Sequence, residues 1–176
     1  SPADNQETAE LAVAYKDIGI AGLDLAGPES AVPMSEFQLL FHFAYQSGLP
    51  FTIHAGECGD YENISRAISF GARRIGHGCA ARFSEKCMRL LEKEQIILEM
   101  CPTSNVQTKA VPTLSEHPIR LFFDRGIAVT VNTDNMTVSN TTLDKEYELL
   151  KKQFHFTDQE LAKMSQTALR GAFCKL

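Results

Sequence analysis

Five short apolar runs of strand character alternate strictly with helix-like segments along this chain, and that alternation limits its folds more than any other feature. The runs are Ile18 to Leu25, Pro50 to Ile53, Arg73 to Ile75, Ile96 to Met100 and Ile127 to Val131. Helical periodicity covers Thr8 to Lys16, Ser35 to Gln46, Glu62 to Ser69, Ser84 to Lys93, His117 to Asp124, Asp144 to Gln153 and Thr157 to Phe173. Ser35, Ser84 and Thr157 stand where N-caps belong, and Gly19, Gly48, Gly71 and Gly126 stand near helix ends. The order is αβαβαβαβαβαα, which calls for a parallel sheet joined by right-handed helical crossovers. Two α/β architectures satisfy it, an open doubly wound sheet and a (β/α)8 barrel.

The polar residues favour the barrel. Asp24, His54, Glu57, His77, Asn105, Asp134 and Asn135 all fall at or just after the C-terminal end of a strand. A barrel gathers all its βα loops at one mouth, whereas an open sheet concentrates its site at one switch point. A complete barrel needs eight strands and typically about 250 residues. With 176 residues, this chain is expected to supply about five βα units of a TIM-type α/β barrel. The open sheet edges of such a piece would need covering, so self-association through them is a second expectation.

Composition narrows the partners. A content of 44% hydrophobic and 22% charged residues is that of a folded protein rather than a disordered one. The net charge is −5, and no basic cluster exceeds the pairs Arg73-Arg74 and Lys151-Lys152, so a nucleic-acid groove is not indicated while single nucleosides fit. No run of eighteen apolar residues marks a membrane span, and SPADNQETAE lacks the basic and apolar regions of a signal peptide. A cytoplasmic location is expected. The cysteines, Cys58, Cys79, Cys87, Cys101 and Cys174, form an odd set without a C-x-x-C pair, which reads as reduced thiols rather than a disulfide framework or zinc knuckle, with Cys58, Cys79 and Cys101, beside strand ends, expected to pack.

Chemistry concentrates at three strand ends. In Thr52-Ile53-His54-Ala55-Gly56-Glu57 an apolar strand stops at a histidine, and a glutamate follows across a glycine turn. His54 can offer a neutral imidazole to a metal, and a carboxylate beside such a metal can move protons for an activated water, as deamination requires. Standing alone, the same pair reads as a backbone-bonded histidine and an exposed glutamate. The next strand ends on His77 between Gly76 and Gly78, and the last leads into Asp134, which could add a carboxylate ligand or simply cap a helix. Together His54, Glu57, His77 and Asp134 indicate a site. His42, His117 and His155 read as structural or surface residues.

The motifs Leu25-Ala26-Gly27-x-Glu29, His54-Ala55-Gly56-Glu57, Arg74-Ile75-Gly76-His77-Gly78, Cys101-Pro102-Thr103-Ser104-Asn105 and Asn132-Thr133-Asp134 occur in this order at strand ends. In this combination the chain resembles the adenosine deaminase family of zinc aminohydrolases along practically its whole length. The resemblance implies that His54 and Asp134 bind zinc, that Glu57 protonates purine N1, and that His77 orients and deprotonates the zinc-bound water attacking C6. It also implies that Gly27 offers its backbone N–H to purine N3. Where the family often has a second aspartate contacting N7, this chain has Asn135, whose amide can still donate. Asp24 has no implied role beyond supporting a ligand. The family's first-strand His-x-His pair, with two further zinc ligands, does not occur here, so residues 1–176 are expected to form the C-terminal part of a single barrel. The implied reaction is zinc-dependent hydrolysis of adenosine and 2'-deoxyadenosine to the inosine product and ammonia. A related aminopurine substrate (adenine, AMP or a modified adenosine) and a non-catalytic half-barrel are the alternatives. The H-x-E…P-C-x-x-C pattern of the cytidine and tRNA deaminases is missing.

Overall fold

The computed structural model describes residues 2–57 and 60–174. Helix α1 (Pro2–Ala14) and a 3-10 turn (Lys16–Ile18) precede strand β1 (Leu23–Leu25). Another 3-10 turn (Met34–Phe37) leads into α2 (Gln38–Gln46), followed by β2 (Phe51–Ala55), α3 (Tyr61–Phe70) and β3 (Arg74–His77). A 3-10 turn (Cys79–Phe83), α4 (Glu85–Lys93), β4 (Ile97–Met100), α5 (Pro102–Gln107), a 3-10 turn (Leu114–Glu116) and α6 (Ile119–Asp124) come next. Strand β5 (Ala128–Val131), α7 (Met136–Ser139), α8 (Leu143–Phe154) and α9 (Asp158–Gly171) complete the order.

All strand pairs are parallel, and the sheet runs β1-β2-β3-β4-β5, the same as the chain order. A doubly wound sheet reverses its strand order at a switch point. Sequential neighbours throughout are the arrangement of a barrel wall, and the five-unit partial barrel expected from the sequence is what forms.

The register explains the two faces. Ile53 pairs with Ile75, Ile75 with Leu98, and Leu98 with Val129. These side chains are buried with Phe41, Ile64, Leu91 and Phe122 from the covering helices in one apolar core. One residue further along each strand, period-two alternation turns the opposite set to the other face. There His54 pairs with Gly76, Gly76 with Glu99, and Glu99 with Thr130. On that face Thr52 Oγ1 donates to Glu99 Oε2 (2.5 Å), and Arg74 Nε lies 2.8 Å from Glu99 Oε1.

Several local expectations need correction. Only Leu23–Leu25 of the first apolar run pairs as a strand. Ile18 lies in a 3-10 turn and is 75% exposed, and the chain then turns at Gly19 with φ 142°. A positive φ of that kind cannot continue a strand. Ser35 is not an N-cap: it sits inside the 3-10 turn after Pro33, and α2 begins without a side-chain cap. Ser84 and Thr157 are caps. The Ser84 hydroxyl accepts from Cys87 N–H, and Thr157 forms a reciprocal capping box with Glu160. The short helices α5 and α7 escaped the periodicity reading because a single turn shows no repeat.

Cys79, Cys87 and Cys101 are buried free thiols, and burial pushes the Cys79 pKa up to about 12. Cys79 and Cys101 pack as expected, Cys174 is exposed, and Cys58 lies outside the described residues. Among the described residues no helix is long and apolar enough to cross a membrane. Truncating Leu98→Ala, at the centre of the core, should lower stability by about 2–5 kcal/mol. Thr157→Ala should cost only about 1 kcal/mol. Urea denaturation midpoints with unchanged slopes are the measurement.

Candidate active site

Glu57 owes its place to a tight turn at the end of β2. Gly56 has φ +70°, and a Cβ there would stand 2.6 Å from Ile64 Cδ1, so only glycine fits both the backbone and the space. The Glu29 carboxylate, on the loop after β1, clamps this turn. It accepts from Gly56 N–H (2.8 Å), Glu57 N–H (3.0 Å) and Asn63 Nδ2 (2.9 Å). Gly76 makes room on the neighbouring strand, where a Cβ would meet His54 Cδ2 at 2.6 Å.

His77 and Asp134 turn into the mouth with φ 64° and φ 56°, both in the left-handed region. Such backbone costs of order 1–3 kcal/mol for a non-glycine residue and persists only where its surroundings hold it. Ser104 Oγ donates to Asp134 Oδ2 (2.6 Å), and the fully buried Asn105 bonds His77 Nδ1 through its Nδ2 (2.9 Å). The Asn105 carbonyl oxygen in turn lies 3.1 Å from His117 Nε2 and accepts from Cys101 N–H at 3.3 Å.

These supports bring the chemical groups together. His77 Nε2 lies 3.6 Å from Glu57 Oε2, and the rings of His54 and His77 meet edge-on at 4.8 Å between centroids. His54 Nε2 lies 3.5 Å from Asp24 Oδ2. The bond to Asp24 raises the His54 pKa against its burial, helped by the charges of Asp24, Asp134 and Glu57. His77 is only 2% exposed, and burial lowers its pKa although the Glu57 charge opposes the shift. The arrangement is a neutral imidazole beside a carboxylate at a strand-end mouth, suited to general acid–base work.

The expected site residues thus converge. His54, Glu57 and His77 touch or nearly touch, and the charge of Asp134 reaches both histidines. Gly27, with φ +127°, lines a cavity of about 130 Å³ together with His54. Asn135 N-caps α7, its Oδ1 accepting from Val138 N–H (2.9 Å), which leaves its amide N–H groups as donors. His42 is exposed, and His155 ends α8 in the left-handed region. Sequence reading assigned no role to Glu29, Ser104 or Asn105 and read His117 as a structural or surface residue, of which the buried structural place is the one it takes. Glu29 and Asn105 close two of the quoted motifs, and Asn105 also stood among the polar residues at strand ends.

As metal donors, an imidazole and a carboxylate suit zinc in kind, but they are too few. Among the described residues no group of three or more His, Cys, Asp or Glu side chains is arranged to hold a metal ion. His54 and Asp134 would supply two positions of a set that needs further ligands.

A partial parallel barrel carries a histidine–glutamate pair and metal-type donors at its C-terminal mouth. The family model described as "Adenosine deaminase" matches residues 1–176. The chain is 42% identical over 168 residues to an adenosine deaminase of Enterococcus faecalis, covering 96% of this chain and 50% of that protein. Its fold matches the crystal structure of an adenine deaminase from Arthrobacter aurescens with TM-score 0.91 at 31% identity, over 99% of this chain and 54% of that one. It likewise matches an N6-methyl-AMP deaminase from Arabidopsis thaliana with TM-score 0.91 at 27% identity, over 99% and 51%. The chain belongs to the adenosine deaminase family. It spans about half the length of the relatives it matches.

His117 supplies a pH test. Burial lowers its pKa to about 3, with the Arg82 charge adding to the effect. The folded value lies below the unfolded value of about 6.5, so the unfolded chain binds the extra proton between the two. Stability should therefore fall as pH drops from about 6.5 toward 3, by at most about 1.4 kcal/mol per pH unit for this group. His117→Gln should flatten that slope in urea titrations at pH 7 and pH 5.

Proposed function

We propose that the complete barrel containing this chain hydrolyses adenosine and 2'-deoxyadenosine to inosine or 2'-deoxyinosine and ammonia. The observation that carries the reading is the Glu57–His77 pair, 3.6 Å apart beside His54. Glu57 protonates purine N1, which makes C6 electrophilic, and His77 orients the attacking water. The Gly27 backbone N–H binds purine N3, and the Asn135 amide donates to N7 while its oxygen stays on the α7 cap. His54 and Asp134 contribute to a zinc site, with Ser104 aiming the Asp134 carboxylate. Zinc, when bound, supplies the Lewis acidity that generates a strong nucleophile at neutral pH. The remaining ligands come from an N-terminal part bearing His-x-His, so residues 1–176 are the C-terminal part of one barrel. By itself the chain binds zinc weakly and is inactive, because two protein ligands do not make a catalytic site.

A second reading, deamination of adenine or of an AMP-type nucleotide, is favoured by the likeness to an adenine deaminase and an N6-methyl-AMP deaminase. Ammonia release from adenosine, adenine and AMP by the full-length protein separates the two, and no release from any of them would overturn both.

Glu57→Gln should lower kcat by ~10²–10⁴ while zinc content stays the same. Near-normal turnover would remove Glu57 from proton transfer. Asn135→Ala should lower kcat/KM more than Asn135→Asp, because a protonated aspartate still donates to N7 and an unmade buried hydrogen bond costs ~1–3 kcal/mol. Equal values for the two variants would exclude the N7 contact.

A further inference from the structure

A buried relay joins His77 to His117 through the side chain of Asn105, and backbone groups set the polarity at two points along it. Cys101 N–H donates to Asn105 Oδ1 (3.3 Å). A backbone N–H cannot act as an acceptor, so this contact identifies the oxygen end of the amide. Cys79 Sγ, 3.3 Å away, donates to the same oxygen. The NH2 end therefore faces His77 Nδ1 at 2.9 Å and donates to it. At the far end Ile119 N–H donates to His117 Nδ1 (3.3 Å), so the ring proton of neutral His117 sits on Nε2 and points at Asn105 Oδ1, 3.1 Å away. Reversing the amide would set donor against donor at both Cys101 and His117. Asn105 is fully buried, so no solvent could relieve that mismatch.

We propose that Asn105 and His117 are positioning residues that hold His77 as its Nε2–H tautomer, so that the imidazole meets Glu57 and the attacking water as a hydrogen-bond donor. His77 Nδ1 is occupied as an acceptor, and its Nε2, 3.6 Å from Glu57 Oε2, carries the ring proton. A base acting through Nε2 would need the opposite tautomer, whose Nδ1–H would collide with the Asn105 NH2. His77 thus enters the reaction as a donor, in contrast to the water-deprotonating role that the family resemblance implies. The catalytic consequence rests on the deaminase reading; the tautomer does not.

The test uses the full-length, metal-free protein with 15N-labelled histidine at pH 8, where His77 is neutral. Long-range 1H–15N spectra, with His77 assigned from a His77→Gln sample, should show a protonated Nε2 and an unprotonated Nδ1. The unaltered protein alone decides this point, so the outcome survives if a buried variant fails to fold. In Asn105→Asp the new carboxylate accepts from Nδ1–H and should invert the tautomer. In the zinc-loaded enzyme the same change should lower kcat by ~10²–10⁴ with KM and zinc content little changed, as misplacing a catalytic histidine's proton does elsewhere. His117→Gln, which keeps an N–H donor toward Asn105, should retain the tautomer and most of kcat, whereas His117→Leu should lose both. An unprotonated Nε2 in the unaltered protein overturns the proposal, as does a folded Asn105→Asp enzyme that keeps both tautomer and kcat. The expected tautomer in a full-length protein without deaminase activity would sustain the positioning role and overturn the function proposed above.

Discussion

The pairing of β2 with β3 is the contact on which the site depends. In that register His54 lies beside Gly76, and Ala55 beside His77. The missing side chain at position 76 leaves the space that the His54 ring fills, so the two histidines meet edge-on instead of colliding. A one-residue slip of β2 would send the His54 ring to the helix-covered face, because strand side chains alternate, whereas His77, in phase with Ile75, reaches the mouth through its positive φ. The apolar row Ile53, Ile75, Leu98 and Val129 prevents that slip by burying itself under the helices. The core thus fixes the site geometry from the opposite side of the sheet.

Above that wall, part of the chain's left-handed backbone lies at the site, while Gln95, Lys109, Asn140 and His155 carry it elsewhere. Gly56, His77 and Asp134 have positive φ at strand ends, and each is held by a polar brace. Glu29 clamps the turn carrying Glu57, Asn105 holds the His77 ring, and Ser104 holds the Asp134 carboxylate. Two of these braces come from α5, whose position is set in turn by the buried Glu146 carboxylate accepting from Thr103 N–H. Short helices that add little to the core therefore serve as mounts for the site.

Electrostatics separates the two central histidines despite their contact. His54, next to Asp24 and more open to solvent, has its pKa raised, while His77 is buried deeply enough for desolvation to lower its own. Neighbouring groups whose environments pull their pKa values apart take different chemical roles. His117, packed below them and held neutral, extends the low-dielectric support without adding a charge to the mouth.

The sequence by itself determined the alternation of strands and helices, and hence the parallel sheet, because periods of about two and 3.6 residues are local properties of the chain. It also singled out His54, Glu57, His77 and Asp134 as candidates, since titratable residues that interrupt apolar strand ends stand out against their neighbours. Boundaries governed by nonlocal contacts were not legible: Ile18 reads as strand until Gly19 turns the chain, and Ser35 reads as a cap until Pro33 starts a 3-10 turn. The tertiary structure alone decided the sequential strand order that distinguishes a barrel wall from a doubly wound sheet. It alone also brought Glu29 to the turn 27 residues away and His117 to Asn105, 12 residues away. A hydrogen bond across such separations leaves no periodic trace in the sequence. It exists only once the core has set the strands side by side.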